Sequence, residues 1–222
     1  MGNKEMKLAR LKNTEGIALT ETQYNLTIGL VLVWGFLINT LMARFLTFYI
    51  IRVDYRAILI AYLVSSLACV TLVFKARKPA VSFLGFTGLA VAMGLILTYF
   101  LTFYDGHLVY SAFLLTGIIT VGMMILSTLV PNVFLSIGKS LGVALLFCIV
   151  VELIGGVLMR LPMSMMDYGV VLLFSLYIGY DWAKAQMYPR TLNNALSSAA
   201  DIYIDIINIF IRILSIMGKK KN

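Results

Sequence analysis

The chain has 222 residues, 61% of them hydrophobic and only 13% charged, where a soluble domain carries about 25% charged residues; this excludes a soluble globular protein and indicates a membrane protein. The net charge of +8 does not signal nucleic-acid binding, because the basic residues gather in short gaps between apolar runs rather than on one face. Cys69 and Cys148 sit inside apolar runs and read as small buried hydrophobes. With His107 as the one histidine, no spacing suits a zinc, haem or phosphate site, and no cofactor is expected.

Residues 1–23 form a hydrophilic segment in which Lys4, Lys7, Arg10 and Lys12 mix with Glu5, Glu15 and Glu21. No short apolar core with a small-residue cleavage site follows, so this is not a cleavable signal. Met6 stands where myristoylation at Gly2 needs Ser or Thr. An all-α membrane domain is expected over residues 24–218, with a basic tail at 219–222. Seven apolar stretches are long enough to span a bilayer: 25–50, 56–74, 80–103, 108–130, 137–160, 166–187 and 197–217. Pro79, Pro131, Pro162 and Pro189 fall in or beside the gaps, where a missing backbone donor does least harm.

Lysine and arginine set the orientation. The N-terminal segment, the gap with Lys75, Arg77 and Lys78, the gap with Lys139, and the gap with Lys184 and Arg190 are expected on the cytoplasmic side. Arg52, Arg56 and Arg160, with Asp54, Asp105 and Asp167 beside them, are expected outside. Seven crossings carry Lys219, Lys220 and Lys221 outside, against the rule. Either the short terminal tail escapes it or the seventh stretch re-enters, and the length of that stretch favours a full crossing. The ending KKKN also fits an endoplasmic-reticulum retrieval pattern, although a simple basic anchor is commoner. Gly138 and Gly142, Gly85, Gly88 and Gly94, and Gly117 and Gly122 read as helix-packing positions.

Two acids stand out in the last third. Asp181 lies in VVLLFSLYIGYDWAKAQ and Asp205 in SSAADIYIDIINIFIRILSIMG. A carboxylate inside a bilayer costs several kcal/mol unless it is neutralised, paired or wetted, so each is a functional hypothesis. Their midpoint is Asn193, in the expected turn, and a hairpin symmetric about it would bring both to one depth. Two carboxyls in contact in a low dielectric cannot both ionise cheaply, so they share a proton. Losing it turns attraction into repulsion between the two helices, an electrostatic switch on a packed element. Lys75 or Arg77 could stabilise the ionised form. Asp201 lies one helical turn before Asp205, on the same face. Glu152, deep in the fifth stretch, needs a partner or a proton. Arg44 and Arg212 are expected to snorkel to the interface. Acids lining a route attract cations. Calcium wants six to eight oxygen ligands, more than two carboxylates supply, so weak transient coordination at Asp181 and Asp205 suits a leak rather than a store. The bland alternative is that the aspartates only hydrogen-bond the two helices together.

The stretches FSLYIGYD (174–181) and IYIDIINIF (202–210) resemble the Bax inhibitor-1 family of seven-helix membrane proteins. The matching positions are Tyr180 and Asp181, then Tyr203, Asp205, Asn208 and Phe210. The resemblance covers about 40 residues well; elsewhere only the span count and the basic gap after the second stretch agree. It implies a fold with the seventh helix at the centre of the other six. It further implies a pH-sensitive calcium leak gated by Asp181 and Asp205, in a bacterial inner membrane or, in a eukaryote, the endoplasmic reticulum. In bacterial members an arginine after the second helix engages the sixth-helix aspartate, which points to Arg77, with Lys75 next. Asp201, Glu152 and Arg212 depart from the family pattern. Some members act by binding other membrane proteins, including a membrane protease, and that is the alternative to conduction. An intramembrane hydrolase is not expected: Gly179 and Tyr180 precede Asp181, without the Gly-x-Gly-Asp setting that resemblance to aspartate intramembrane proteases requires.

Overall fold

A computed structural model describes residues 17–154 and 164–218. The segment 1–16, residues 155–163 with Arg160 and Pro162, and Lys219, Lys220 and Lys221 lie outside the described residues. The described part is all-helical: α1 (Glu21–Phe45), α2 (Thr47–Ile50), α3 (Tyr55–Lys75), α4 (Pro79–Leu101), α5 (Gly106–Leu129), α6 (Pro131–Val151), α7 (Ser164–Met187) and α8 (Leu192–Gly218). Local chemistry fixes several starts. Thr20 accepts from the Gln23 amide at 3.2 Å while the Gln23 side chain accepts from the Thr20 amide at 3.0 Å, a reciprocal cap on α1. Asp54 caps α3 through the Arg56 amide at 2.7 Å. Pro79 and Pro131 open α4 and α6, where the missing donor has no intrahelical acceptor to lose.

Three expected boundaries move. The first stretch breaks at Leu46 into α1 and the single turn α2. The fifth helix begins at Pro131, not 137, so Lys139 lies within it rather than in a gap. The last helix begins at Leu192, not 197.

Among the described residues five helices are long and apolar enough to cross a membrane: α1, α3, α4, α5 and α6, the last counted to Ile154. The expected sixth and seventh crossings form helices too, but they carry Asp167, Asp181 and Lys184 (α7) and Asp201, Asp205 and Arg212 (α8). Charged residues at that density are rare in lipid-facing helices. Burial does not follow apolarity. Only 11% of the most apolar window of α6 is buried, whereas no described residue of α8 is exposed.

Backbone contacts divide the chain into two units. One comprises the residues up to Phe103 with Ala185–Tyr203; the other comprises Tyr104–Lys184 with the residues from Ile204 onward. In the first unit α3 and α4 pack through small residues. A Cβ on Gly85 would meet the Val73 amide nitrogen at 2.9 Å, and one on Gly88 the Cys69 sulfur at 2.6 Å. Ser82 donates to the Val73 carbonyl at 3.2 Å. Ile50, Ile58 and Ile96 form a buried cluster with Tyr62, Tyr99 and Phe100 against it. In the second unit Gly138 lies directly under the Tyr180 ring and Gly179 under the Phe134 ring, joining α6 and α7. Gly117, Gly122 and Gly142, expected at packing contacts, instead have nothing within 4 Å of an added Cβ.

Candidate functional site

The connection between α7 and α8 is short and well bonded. Thr191 and Asn194 both donate to the Pro189 carbonyl, at 2.8 and 2.7 Å. The Thr191 hydroxyl accepts from the Asn194 amide at 3.3 Å. The strand-like pairing of Ala18 with Thr191 holds the connection to the chain's N-terminal end. The turn therefore lies at residues 188–191, and Asn193 belongs to α8. Its amide donates to the carbonyls of Ala76 and Arg77 at 3.1 and 2.7 Å. Asp181 is then six residues from the end of α7 and Asp205 thirteen from the start of α8. The hairpin is not symmetric about Asn193, and the equal-depth argument loses its premise.

Another observation relates the two acids. Both are buried, Asp181 at 6% and Asp205 at 5% exposure. The Tyr177 hydroxyl, one turn before Asp181 on α7, lies within electrostatic reach of both carboxylates. Asp181 also forms an ion pair with Lys184, three residues on along the same helix face. The Lys184 ammonium stands 5.1 Å from the centre of the Tyr180 ring, close enough for a cation–π attraction. One expectation is corrected: Lys184 is not a loop residue but lies in the last turn of α7. Lys184 is a basic partner of Asp181, and Lys75 and Arg77 are exposed and form no ion pair among the described residues. A same-helix lysine is easy to miss because the family comparison directs attention to the gap after the second helix.

The other candidates are spread more widely. Tyr203 is fully buried, packs on Phe36 and Phe86, and accepts from Asn39 at 2.5 Å. Asn208 returns its amide to the Ile204 carbonyl of its own helix at 2.8 Å. Asp201 is half-buried and near Tyr24, whose hydroxyl lies 3.2 Å from Ser198 and donates to Ala185 at 3.2 Å. It belongs to the first unit, whereas Asp181 and Asp205 belong to the second.

Sequence reasoning missed a second charged cluster. Arg212 does not snorkel. Its guanidinium bridges Glu152 at 2.5 Å and Asp167 at 3.0 Å, and Ser215 donates to the other Asp167 oxygen at 3.1 Å. Asp167, expected as an outside marker, is only 2% exposed and lies in the first turn of α7, where the helix dipole favours a negative charge. The cluster ties the ends of α6 and α7 to α8. The signal was present in the sequence: two of the three departures from the family pattern, Glu152 and Arg212, have opposite charge and neutralise each other. Among the described residues no three acidic, histidine or cysteine side chains converge as metal ligands.

Five apolar spans together with charged groups that find partners inside helices define an all-α integral membrane protein. A family model described as inhibitor of apoptosis-promoting Bax1 matches residues 23–222. The chain belongs to the Bax inhibitor-1 family. No curated protein matches it.

Proposed function

We propose that this protein is a proton-regulated cation leak with calcium as the cargo, gated at Asp181 and Asp205. In this reading all seven long helices cross the membrane, the N-terminus is cytoplasmic, and α8 is the central helix. The observation that carries it is the burial of two carboxyl groups, both within electrostatic reach of the Tyr177 hydroxyl, with the Lys184 ammonium paired to Asp181. Lys184 pairs with Asp181, and two carboxyl groups buried in a low dielectric are costly to ionise together, so one of them is suited to hold a proton or to meet a cation. Gaining the proton removes a charge repulsion and favours close packing of α7 against α8; releasing it opens a site that attracts cations. Calcium needs more oxygen ligands than two carboxylates supply, so water and backbone carbonyls complete a transient shell. The absence of exposed residues along α8 supports its central place.

Flux into proteoliposomes loaded with a calcium dye tests this. Wild type is expected to conduct with a rate that changes between acid and neutral pH. Asp181→Asn and Asp205→Asn are each expected to flatten that response. Absence of protein-dependent flux at every pH contradicts conduction and promotes the second reading, a regulator that binds other membrane proteins. One observation favours that reading: Gly117 and Gly122 on α5 and Gly142 on α6 leave open space where a partner helix could approach closely.

A further inference from the structure

The outer face of α6 carries a charge that the aspartate site does not use. Lys139 lies eight residues beyond Pro131, about 12 Å along the helix at 1.5 Å per residue. It is exposed and has no ion pair or hydrogen bond among the described residues. The inward face is set by Phe134 and Leu141, both buried, and by Gly138 under the Tyr180 ring. Lys139, Val143 and Phe147 follow one another at four-residue intervals on the opposite side. With Ser140 and Ala144 they line an open groove of about 500 Å³. Val143 is 69% and Phe147 65% exposed.

We propose that this groove binds one anionic phospholipid of the surrounding bilayer. The order of chemistry along the helix matches such a molecule. A cation and a hydroxyl lie toward the end assigned to the cytoplasmic side, and an apolar trough continues from them toward the bilayer centre. Lys139 sits too deep for full hydration, and its flexible stem reaches back toward the headgroups. There a phosphate supplies the counter-charge that no described side chain provides. Ser140 adds a donor to a second phosphate oxygen. Val143, Ala144 and Phe147 receive the first part of an acyl chain. A zwitterionic lipid fits the same trough but brings its own cation to compete with Lys139. The proposal rests on the membrane orientation above and not on conduction.

A label on Val143→Cys, in a chain carrying Cys69→Ala and Cys148→Ala, reads the groove directly. The full-length protein is placed in phosphatidylcholine vesicles containing a few mole per cent of nitroxide-labelled phosphatidylglycerol or nitroxide-labelled phosphatidylcholine. Fluorescence quenching reports which lipid resides there. The expected result is about a fivefold preference for phosphatidylglycerol, the size of one lysine's attraction to an anionic surface. It disappears in Lys139→Gln, survives in Lys139→Arg, and falls with added salt. Equal quenching by both lipids, a preference that Lys139→Gln leaves unchanged, or protection of the label from both lipids overturns the proposal. The last result would show a protein surface covering the groove.

Discussion

Helices α6 and α8 are inverses of each other. α6 is apolar but for one charge, Lys139, and mostly exposed. α8 carries Asn193, Asn194, Asp201, Asp205 and Arg212, and none of its described residues is exposed. In water the hydrophobic effect would bury the first and expose the second. In a bilayer, lipid tails already satisfy an apolar face, and the polar groups gain most from protein partners. The pairings of α8 bear this out: Tyr203 with Asn39, Arg212 with Glu152 and Asp167, Asn193 with the carbonyls after α3.

The contrast yields graded expectations. The largest effect belongs to Arg212. Arg212→Met removes the guanidinium shared by Glu152 and Asp167 and is expected to destabilise the protein by up to about 3–5 kcal/mol, the range for breaking a fully buried pair from one side, because Asp167 is buried while Arg212 and Glu152 are 26% and 29% exposed. Reversible unfolding in bicelles measures this. Adding Glu152→Gln and Asp167→Asn to Arg212→Met is expected to restore much of the loss, and no recovery would mean that Arg212 contributes packing rather than charge. Next comes Gly138→Leu, which drives a side chain into the Tyr180 ring. A loss of about 1–3 kcal/mol follows from overpacking. Tyr203→Phe removes the hydrogen bond from Asn39 but keeps the ring, and about 0.6–2 kcal/mol is expected from membrane hydrogen bonds. Smallest is Val143→Ala on the outer face of α6, expected within about 0.5 kcal/mol of wild type. If Val143→Ala proved as damaging as Tyr203→Phe, α6 would be an interior helix and the contrast would fail.

How much of this was legible follows from the same physics. Apolar runs announce lipid-facing helices, so the first five spans were readable from residue type alone. The last two helices were readable as apolar stretches too, and what set them apart was their expensive residues, Asp181 and Asp205, with the Tyr, Asn and Phe positions around them. Partners were harder to read. Glu152 and Arg212 are 60 positions apart, and periodicity within a helix says nothing about which helix stands opposite. Lys184 looked like a gap residue because of its charge, although the expected stretch 166–187 enclosed it and ends where α7 ends. Asn193 was placed in the turn because it is the midpoint between Asp181 and Asp205. Asn favours turns, yet here its amide serves two carbonyls beyond the end of α3 while its backbone is already helical.

The central claim is that the buried aspartates hold a titrating proton, and infrared spectroscopy of the reconstituted protein tests it most directly. A protonated-carboxyl stretch is expected at acid pH and is expected to fade toward neutral pH. Asp181→Asn and Asp205→Asn should each abolish that titrating signal, while Glu152→Gln should leave it in place. A wild-type protein with no titrating carboxyl signal, or a signal that survives both aspartate substitutions, would contradict the account.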